Sequence, residues 1–326
     1  MQSITKTNVP VERIESIVKN ILGSQATVAD YAELPEGFYN SAFRISCADG
    51  AKYVLKVAPP DDIPILRYEK NILQAEVDVM RLVKARTEMP IPTILGHDNS
   101  RTVLPSPYYL MEYMEGVLYH KLRPALTIEE QARLDQRIGV LLRQMNAITG
   151  ESFGYFAQTE THRPGWKEAF KMMLSGVIED GIDAGVELVM SKAEIFERLE
   201  PTFYTLDEVR VPQLIHWDLW DGNIFVDPAS KTITGIIDFE RAMWGDPLME
   251  VNFGAFGENP EFNKGYGMAL PLSKTQATRR ILYNIYLFLI MVIECTYRHY
   301  TTQDQENWAR QQLQDQFEKL SLTDRA

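Results

Sequence analysis

The chain has 326 residues, of which 45% are hydrophobic and 24% are charged, a balance typical of a globular protein. Its formal net charge is -12, and a surface of this sign would repel the phosphate backbone of DNA or RNA, so we expect no nucleic acid partner. Its two cysteines, Cys47 and Cys295, lie far apart in the sequence, which predicts neither a disulfide framework nor a zinc site.

The first third of the chain predicts strands mixed with helices. A turn signal, Ala48-Asp49-Gly50, separates two runs of β-forming residues, and several prolines between residues 90 and 107 bracket short extended segments. In chain order, the predicted elements are a helix at residues 11–22, strands at 43–46 and 52–58, a helix at 72–85 and a buried strand at 108–111.

After residue 116 the pattern becomes mainly helical. Helices are predicted at residues 126–148, 166–190 and 274–326, with strands at 213–215, 224–226 and 233–238 between them. Thr127 and Glu130 form the capping-box pattern at the start of the first of these helices. Residues 281–293 are the most apolar stretch but are shorter than the roughly 20 residues that cross a bilayer. We therefore expect a buried helix, no membrane association and a cytoplasmic location.

This change of pattern predicts an α+β protein of two lobes. We expect a β-rich lobe at residues 1–111, a hinge at 112–116 and a mainly helical lobe at 117–326. The sequence contains no internal repeat or low-complexity tract, and it leaves the oligomeric state open.

The strongest chemical signal is the sequence HWDLWDGN at residues 216–223, followed by Asp238 in the segment IIDFE. Phosphoryl transfer from ATP requires a carboxylate that positions and deprotonates the acceptor hydroxyl, and oxygen ligands that hold Mg²⁺ on the phosphates. Asp218 and Asn223 lie five residues apart on one loop, and Asp238 follows an apolar hairpin that would fix its distance from Asn223. These three residues could therefore provide the base and the metal ligands.

The pattern resembles the aminoglycoside phosphotransferase and choline kinase family, small-molecule kinases that are related to the protein kinases. The resemblance implies a bilobal protein-kinase-like fold with a catalytic hairpin in its second lobe. It also implies that Asp218 is the catalytic base, that Asn223 and Asp238 bind magnesium, and that His216 is a structural support of the loop. Many family members have glycine where this chain has Trp217, so we expect the packing of the loop or the approach of the substrate to differ here.

A second matching segment is WGDPL at residues 244–248. By resemblance, Asp246 in this segment would brace the catalytic loop as a structural support. The residue four positions further on is commonly an acid in the family, and here it is Glu250.

The N-terminal lobe supplies the matching nucleotide-binding residues. Alternation along the strand at residues 52–58 places Val54 and Lys56 on one face. By resemblance, Lys56 would contact the α- and β-phosphates and pair with an acid, for which Glu76 is favoured and Glu69 remains open. The segment GFYNSAF at residues 37–43 occupies the place of the nucleotide loop, where Asn40 and Ser41 would help to contact phosphate oxygens.

The segment PYYLMEYMEG at residues 107–116 resembles the hinge of the family. The backbone of Glu112, Tyr113 and Met114 would bind the adenine edge. The resemblance covers about residues 30 to 255 and implies ATP, with GTP as an alternative, and Mg²⁺ as cofactors. A protein kinase is disfavoured because neither D-F-G nor A-P-E follows Asp238.

The acceptor is expected to be a small molecule with a hydroxyl group. Its pocket would come from residues 155–200 and 250–326, where acids and aromatics recur: Trp166, Glu179, Asp180, Asp183, Glu258, Glu261, Tyr266, Glu294, Tyr297 and Trp308. Such residues suit a cationic, aminoglycoside-like antibiotic, since carboxylates pair with ammonium groups and rings stack on sugars. Macrolides, choline-like alcohols, amino sugars such as fructosamines, and methylthioribose remain open, as do a role in resistance or in metabolism and a non-catalytic nucleotide-binding module. A ring of carboxylates around the acceptor pocket would favour an aminoglycoside or choline. An apolar pocket would instead favour a macrolide.

Overall fold

The computed structural model describes residues 5–35 and 39–323, and its first part is built on a five-stranded antiparallel sheet. The strands are β1 (Val28–Leu34), β2 (Ser41–Cys47), β3 (Lys52–Val57), β4 (Ile94–Asp98) and β5 (Tyr108–Glu112), and their order in the sheet is β1-β2-β3-β5-β4. Helix α1 (Val11–Leu22) precedes the sheet, and helix α2 (Ile72–Arg86) lies between β3 and β4 in the chain.

The two faces of this sheet have different roles, as the alternation along β3 predicts. Leu55 and Val57 pack in a small core with apolar residues of α1, so this face is covered. Val54 packs in the main core of the protein, and it lines a cavity together with Lys56. The covered face stabilises the sheet, whereas the other face is available to a ligand.

The second part is mainly helical and contains two small sheets. Its helices are α3 (Tyr119–Leu122), α4 (Ile128–Asn146), α5 (Trp166–Asp183), α6 (Lys192–Leu199), α7 (Pro260–Tyr266), α8 (Lys274–Tyr297) and α9 (Asp304–Thr323). Its strands are β6 (Val117–Leu118), β7 (Gly154–Tyr155), β8 (Gln213–Ile215), β9 (Ile224–Asp227), β10 (Thr232–Ile236) and β11 (Met243–Gly245). The two sheets have the orders β10-β9-β6 and β7-β11-β8, and the α+β bilobal architecture is confirmed.

Several predicted elements have different bounds in the structure. The helix predicted at residues 166–190 ends at Asp183 because Gly185 adopts a left-handed φ of 68°, and a separate helix follows at α6. The C-terminal helix is interrupted between α8 and α9, where His299 has a φ of 52°. Strands β1 and β4 were not predicted, since they contain weak β-formers and depend on pairing with β2 and β5.

Two local predictions are confirmed without change. Thr127 accepts a hydrogen bond from the backbone N–H of Glu130, whose side chain in turn accepts one from the backbone N–H of Thr127, so α4 begins with a capping box. Helix α8 is long and apolar enough to span a membrane by length and composition, but 78% of its most apolar window is buried inside the fold. The apolar stretch at residues 281–293 is therefore part of a core helix.

Candidate active site

An ion cluster around Lys56 joins β3 to the second part of the chain. The Lys56 ammonium donates hydrogen bonds to Glu76 Oε2 at 2.7 Å, to Asp238 Oδ1 at 2.7 Å and to Glu240 Oε2 at 3.1 Å. The structure thus places Glu76, rather than Glu69, beside the lysine. Glu69 instead accepts hydrogen bonds from Arg298 and from the backbone N–H of Leu66.

Glu76 and Glu240 are buried, whereas Lys56 and Asp238 are partly exposed, and the charges of this cluster shift the pKa values of its members. Burial raises the pKa of Glu76 to about 7, against the lowering effect of Lys56. Burial also acts to raise the pKa of Asp238, but the adjacent ammonium outweighs it and holds that pKa below its ordinary value. Burial acts to lower the pKa of Lys56, but the three carboxylates hold that pKa well above the usual value. Lys56 and Asp238 are therefore charged at neutral pH.

The ring of His216 connects the loop at residues 216–223 to the segment that carries Asp238. The backbone N–H of Asp218 donates to His216 Nδ1 at 3.3 Å, and His216 Nε2 lies 3.2 Å from the carbonyl oxygen of Ile237, to which it donates when the ring is neutral. Burial lowers the pKa of His216 to about 4, so the ring is neutral at physiological pH. A neutral imidazole can therefore accept from the loop with one nitrogen and donate toward the Asp238 segment with the other.

Glu250 binds the backbone of the same loop, although it lies in a later segment of the chain. Its Oε1 accepts from the backbone N–H of His216 at 2.8 Å and from Asn146 Nδ2 at 3.1 Å, and its Oε2 accepts from the backbone N–H of Trp217 at 2.7 Å. Glu250 is fully buried, and Arg280 binds its carbonyl oxygen. Because the carboxylate contacts two consecutive residues before Asp218, it fixes the direction of the chain at that residue.

Asp246 has a different set of partners from the one predicted. It caps a short 3₁₀ turn by accepting from the backbone N–H of Leu248, and its Oδ2 accepts from Arg279 Nε at 2.9 Å and from the Tyr283 hydroxyl at 2.7 Å. The hydrogen bonds of Asp246 thus anchor α8, whereas Glu250 contacts the catalytic loop directly. Of the two acids in this segment, Glu250 is the one with hydrogen bonds to residues 216 and 217.

Trp217 has a backbone conformation that favours glycine, although it carries a large side chain. Its φ is 64°, in the left-handed region that glycine adopts without strain, yet its side chain is only 2% exposed. The ring packs against Tyr286 at a centroid distance of 5.4 Å and against the edge of Tyr68 at 6.2 Å. The burial of a large aromatic ring offsets the backbone strain.

Asn223 and Asp238 are connected through backbone and side-chain contacts. The backbone N–H of Ile237 donates to the carbonyl oxygen of Asn223 at 3.0 Å, and Asn223 Nδ2 donates to the carbonyl oxygen of Asp218 at 2.9 Å. Strands β9 and β10 pair between these positions, and β10 ends at Ile236, before Asp238, which has a φ of 73°. The hairpin therefore fixes both residues beside Asp218.

A cation could be held at this point, because the oxygen donors are of the kind that Mg²⁺ binds. Since Nδ2 of Asn223 is the atom that donates to Asp218, its amide oxygen is available as a ligand. Oxygen atoms of Glu76, Asp238 and Glu240 lie within 4.8 Å of one another. Lys56 occupies part of that cluster, so Asn223 and the free oxygen of Asp238 are the residues that fit a metal best.

Asp218 lies where a hydroxyl acceptor would need a base. Burial raises its pKa to about 7, Arg241 acts to lower the pKa, and the nearby carboxylate of Asp238 raises it further. Arg241 Nε is 3.9 Å from Asp218 Oδ2, and Arg241 also contacts Glu294 at 3.3 Å. A carboxylate with such a pKa can accept a proton near neutral pH.

A cavity of about 400 Å³ lies between the sheet and the hairpin. Its lining includes the predicted residues Asn40, Lys56, Glu76, Tyr113, Met114, Asn223 and Asp238. Two predicted nucleotide contacts lie outside it. Glu112 was predicted to contact adenine through its backbone, but its backbone N–H donates to the carbonyl oxygen of Thr93 at 3.0 Å. The buried Ser41 hydroxyl accepts from the backbone N–H of Thr7 at 2.6 Å. Gly37 and Phe38 of the predicted nucleotide loop lie outside the described residues.

A second cavity of about 630 Å³ lies on the other side of the same residues. Its lining is largely aromatic and aliphatic around the polar groups Asp218, Asp238, Glu240, Arg241, Glu294 and Arg298, and the aromatic residues are Tyr39, Trp217, Trp220, Phe256, Tyr300 and Trp308. Asn223, Asp238 and Glu240 line both cavities. The two cavities therefore meet at the predicted metal ligands.

Only Glu294 and Trp308, of the acids and aromatics predicted for the acceptor, line this cavity. Glu258 and Glu261 line an adjacent one, whereas Trp166 is buried in the core. The remaining residues make contacts elsewhere: Glu179, Asp180 and Asp183 bind Arg67, Tyr266 donates to Asn146, and Tyr297 donates to the carbonyl of Asp180. Helical position alone did not reveal which face of α5 each acid occupies.

Sequence reasoning missed four residues of the site. Glu240 binds both Lys56 and Asn40, the latter at 2.5 Å, and its position two residues after Asp238 could have indicated it. Tyr39, Arg241 and Arg298 line the second cavity. Tyr39 and Arg241 lie next to a recognised motif in the sequence, whereas no sequence signal indicates Arg298.

The family of the chain follows from comparison with known proteins. The model of the phosphotransferase enzyme family, APH, matches residues 30–271. The chain therefore belongs to this family, and the predicted likeness to small-molecule kinases of protein-kinase-like fold is confirmed. It is an enzyme of the phosphotransferase class.

Individual relatives are distant. A candidate ketoamine kinase of Enterococcus faecium is 24% identical over 78% of this chain and 85% of its own length. Acyl-CoA dehydrogenase family member 10 of Mus musculus is 21% identical over 75% of this chain, which spans only 22% of the mouse protein. In structure, an aminoglycoside phosphotransferase, APH(4)-Ia, in complex with AMP-PNP and hygromycin B has a TM-score of 0.64 and 18% identity, covering 94% of this chain and 97% of its own.

Proposed function

We propose that this chain transfers the γ-phosphoryl group of ATP, in the presence of Mg²⁺, to a hydroxyl group of a small sugar-like molecule. One observation carries the proposal. The cavity beside Lys56 and the aromatic cavity meet at Asn223 and Asp238, and Asp218 lines only the aromatic one. A nucleotide in the first cavity and a hydroxyl beside Asp218 would therefore face each other across the junction.

The reaction follows from these positions. The acceptor hydroxyl donates a hydrogen bond to Asp218, whose raised pKa suits it to take the proton. The hydroxyl oxygen bonds to the γ-phosphorus as the bond from that phosphorus to the β-γ bridging oxygen breaks, which leaves ADP. The Lys56 ammonium, held by Glu76, stabilises phosphate charge on the nucleotide side. The transfer is direct, without a phospho-enzyme.

Mg²⁺ bound to the phosphates would neutralise charge that develops during transfer. Asn223 and Asp238 are the residues that would hold it, and the hairpin hydrogen bond between Ile237 and Asn223 keeps them in register. His216 and Glu250 hold the loop so that Asp218 is already oriented toward the aromatic cavity.

A sugar-like acceptor fits the aromatic cavity. The rings of Trp220 and Trp308, which are 43% and 41% exposed, offer flat apolar surfaces on which sugar faces stack. Three of its four carboxylates, those of Asp218, Asp238 and Glu240, are engaged in the transfer site, and the fourth, that of Glu294, contacts Arg241. The cavity thus lacks a ring of free carboxylates among the described residues. The similarity to a candidate ketoamine kinase supports the same class, because a ketoamine such as a fructosamine carries a sugar.

An aminoglycoside-like antibiotic is the second candidate, and an adjacent cavity of about 720 Å³ favours it. This cavity shares His120, Trp220, Val251 and Phe256 with the aromatic one, so a long acceptor could extend into it. It is lined by four carboxylates, those of Asp135, Asp221, Glu258 and Glu261, and by the single arginine Arg123. Asp135 and Asp221 pair with Arg123. Ammonium groups on such a molecule would therefore find Glu258 and Glu261 as their acidic partners.

The test is ADP release from ATP or GTP with Mg²⁺, measured against fructosamines, other amino sugars, methylthioribose, choline, aminoglycosides and macrolides. We expect one class to stimulate release in the wild type. Asp218→Asn should reduce stimulated turnover by about 10²- to 10⁴-fold, because it removes the base without changing the size of the side chain. Nucleotide affinity should remain within a few-fold.

Asp227→Asn is the matched control, because this aspartate lies on the same hairpin and caps a turn outside both cavities. It should leave turnover unchanged. Asp238→Ala should abolish the Mg²⁺ dependence of nucleotide binding in calorimetry. Stimulated turnover that persists in Asp218→Asn would refute the base assignment, and failure of the wild type to bind nucleotide with Mg²⁺ would refute the kinase proposal.

A further inference from the structure

Arg298 follows helix α8 directly and reaches across to the first part of the chain. Its side chain is 2% exposed, and its Nη2 donates to Glu69. The guanidinium carbon lies 4.6 Å from the centroid of the Tyr39 ring. The residue thus connects the end of α8 with two segments that flank the nucleotide side of the cleft.

The second terminal nitrogen of this guanidinium has no hydrogen-bond partner. Nη1 of Arg298 is buried and unpaired within residues 5–35 and 39–323. Buried donors of a charged group are almost always satisfied, because losing their contact with water is costly. An unpaired guanidinium nitrogen next to a cavity can therefore donate to an oxygen acceptor of a bound ligand.

Comparison with the other buried arginines supports this interpretation. Arg279 contacts the carboxylates of Asp246 and Glu208 and a backbone carbonyl, and Arg280 contacts two backbone carbonyls and Asn284. Neither has a buried nitrogen without a partner, whereas Arg298 does. Its one acidic partner, Glu69, is itself shared with the backbone N–H of Leu66.

The position of Arg298 indicates that the hydrogen-bond partner of its Nη1 belongs to the phosphoryl acceptor rather than to the nucleotide. Arg298 lines the aromatic cavity that contains Asp218, and it does not line the cavity beside Lys56. The other arginine of the aromatic cavity, Arg241, already contacts Glu294 and lies near Asp218. Arg298 is therefore the cation with capacity for a further anion.

We propose that Arg298 binds an anionic group, a carboxylate or a phosphate, on the molecule whose hydroxyl is phosphorylated beside Asp218. This inference rests on the proposed function and narrows its substrate class to hydroxylated acids or phosphates, such as sugar acids. A guanidinium suits this task because its planar fork matches the oxygens of both anions.

Binding can be measured without turnover, since Trp217, Trp220 and Trp308 line the cavity and their fluorescence reports occupancy. The enzyme with Mg²⁺ and a non-hydrolysable ATP analogue is titrated with gluconate against glucitol, and with glycerol 3-phosphate against glycerol. We expect at least one anion to bind about 10- to 100-fold more tightly than its neutral counterpart, as a charge-assisted hydrogen bond gives. The pair that shows the difference identifies carboxylate or phosphate.

Arg298→Gln should reduce that preference to less than about twofold, and Arg298→Lys should restore part of it, because the charge returns without the fork. Arg310→Gln is the matched control, since Arg310 pairs with Glu306 outside the cavity. The double variant Glu69→Gln/Arg298→Gln removes both buried charges and replaces the single variant if that one fails to fold.

Equal affinity for charged and neutral compounds in the wild type would overturn the inference. A preference for glucosamine would also overturn it, as would a preference for the anion that persists in Arg298→Gln. A rise in the dissociation constant for ATP in Arg298→Gln, with anion preference intact, would place the missing partner on the nucleotide and overturn it too. If no acceptor stimulated ADP release in the wild type, the kinase proposal alone would be refuted, because anion binding at Arg298 is measured separately.

Discussion

Replacing Glu250 with glutamine tests how the catalytic loop is held. The carboxylate accepts three hydrogen bonds, from the backbone N–H groups of His216 and Trp217 and from Asn146. An amide has only one accepting oxygen, so its NH₂ must face a donor. If the NH₂ group faces Trp217, one donor is left unpaired. If it faces His216 and Asn146, two donors are left unpaired. We therefore expect the amide nitrogen beside Trp217, with a loss of about 1–3 kcal/mol in the free energy of unfolding for one orphaned buried N–H.

The catalytic effect should exceed the effect on nucleotide binding. Trp217 immediately precedes Asp218 and has a φ of 64°, so a shift of its N–H moves the base. Misplacement by about 1 Å costs roughly 10²-fold in rate. We expect kcat for Glu250→Gln to fall by about 10- to 100-fold while the affinity for ATP stays within about threefold, because Glu250 lines neither cavity.

The assay pairs urea denaturation with ADP release for Glu250→Gln and for Asp246→Asn. Asp246 is the control because it is also a buried acid with three donors, but they belong to Leu248, Arg279 and Tyr283 rather than to the loop. At a comparable loss of stability, Asp246→Asn should retain more of kcat. Equal or greater loss of kcat in Asp246→Asn, or unchanged stability and turnover in Glu250→Gln, would refute the reasoning.

Two further predictions concern the same loop. Because burial raises the pKa of Asp218 to about 7 and the base acts deprotonated, kcat/KM for the acceptor should fall about tenfold per unit as the pH decreases below this value. Arg241→Gln should move the midpoint of that pH profile upward, since Arg241 lowers the pKa, and an unmoved midpoint would contradict the assignment. Trp217→Gly should lower the free energy of unfolding, because deletion of a buried tryptophan costs about 3–5 kcal/mol and relief of a left-handed backbone returns only about 1–3 kcal/mol. Trp217→Ala keeps the backbone strain and should be less stable still in urea denaturation; a glycine variant as stable as the wild type would show that the ring contributes little.

Local features of the fold were predictable because their causes lie within a few residues. The capping box of α4, the bounds of α1 and the alternation along β3 depend on side chains close together in the chain. Strands β1 and β4 were missed because long-range pairing, rather than propensity, holds them in the sheet. The break after Tyr297 was missed because no glycine or proline marks it, although His299 adopts a φ of 52° there.

The sequence by itself identified polar residues that line the two cavities at their junction. Asn223 and Asp238 flank one hairpin, so the pairing of its strands fixes the distance between them, and Lys56 was identifiable from its strand. Asp218 lies in the loop before that hairpin, five residues from Asn223. Only the tertiary structure decided between Glu69 and Glu76, moved the support of the loop from Asp246 to Glu250, and brought Arg298 beside Tyr39. The physical reason is that these contacts join separate elements. Which acid meets which cation depends on how the elements pack, and that is not encoded in any short stretch of sequence.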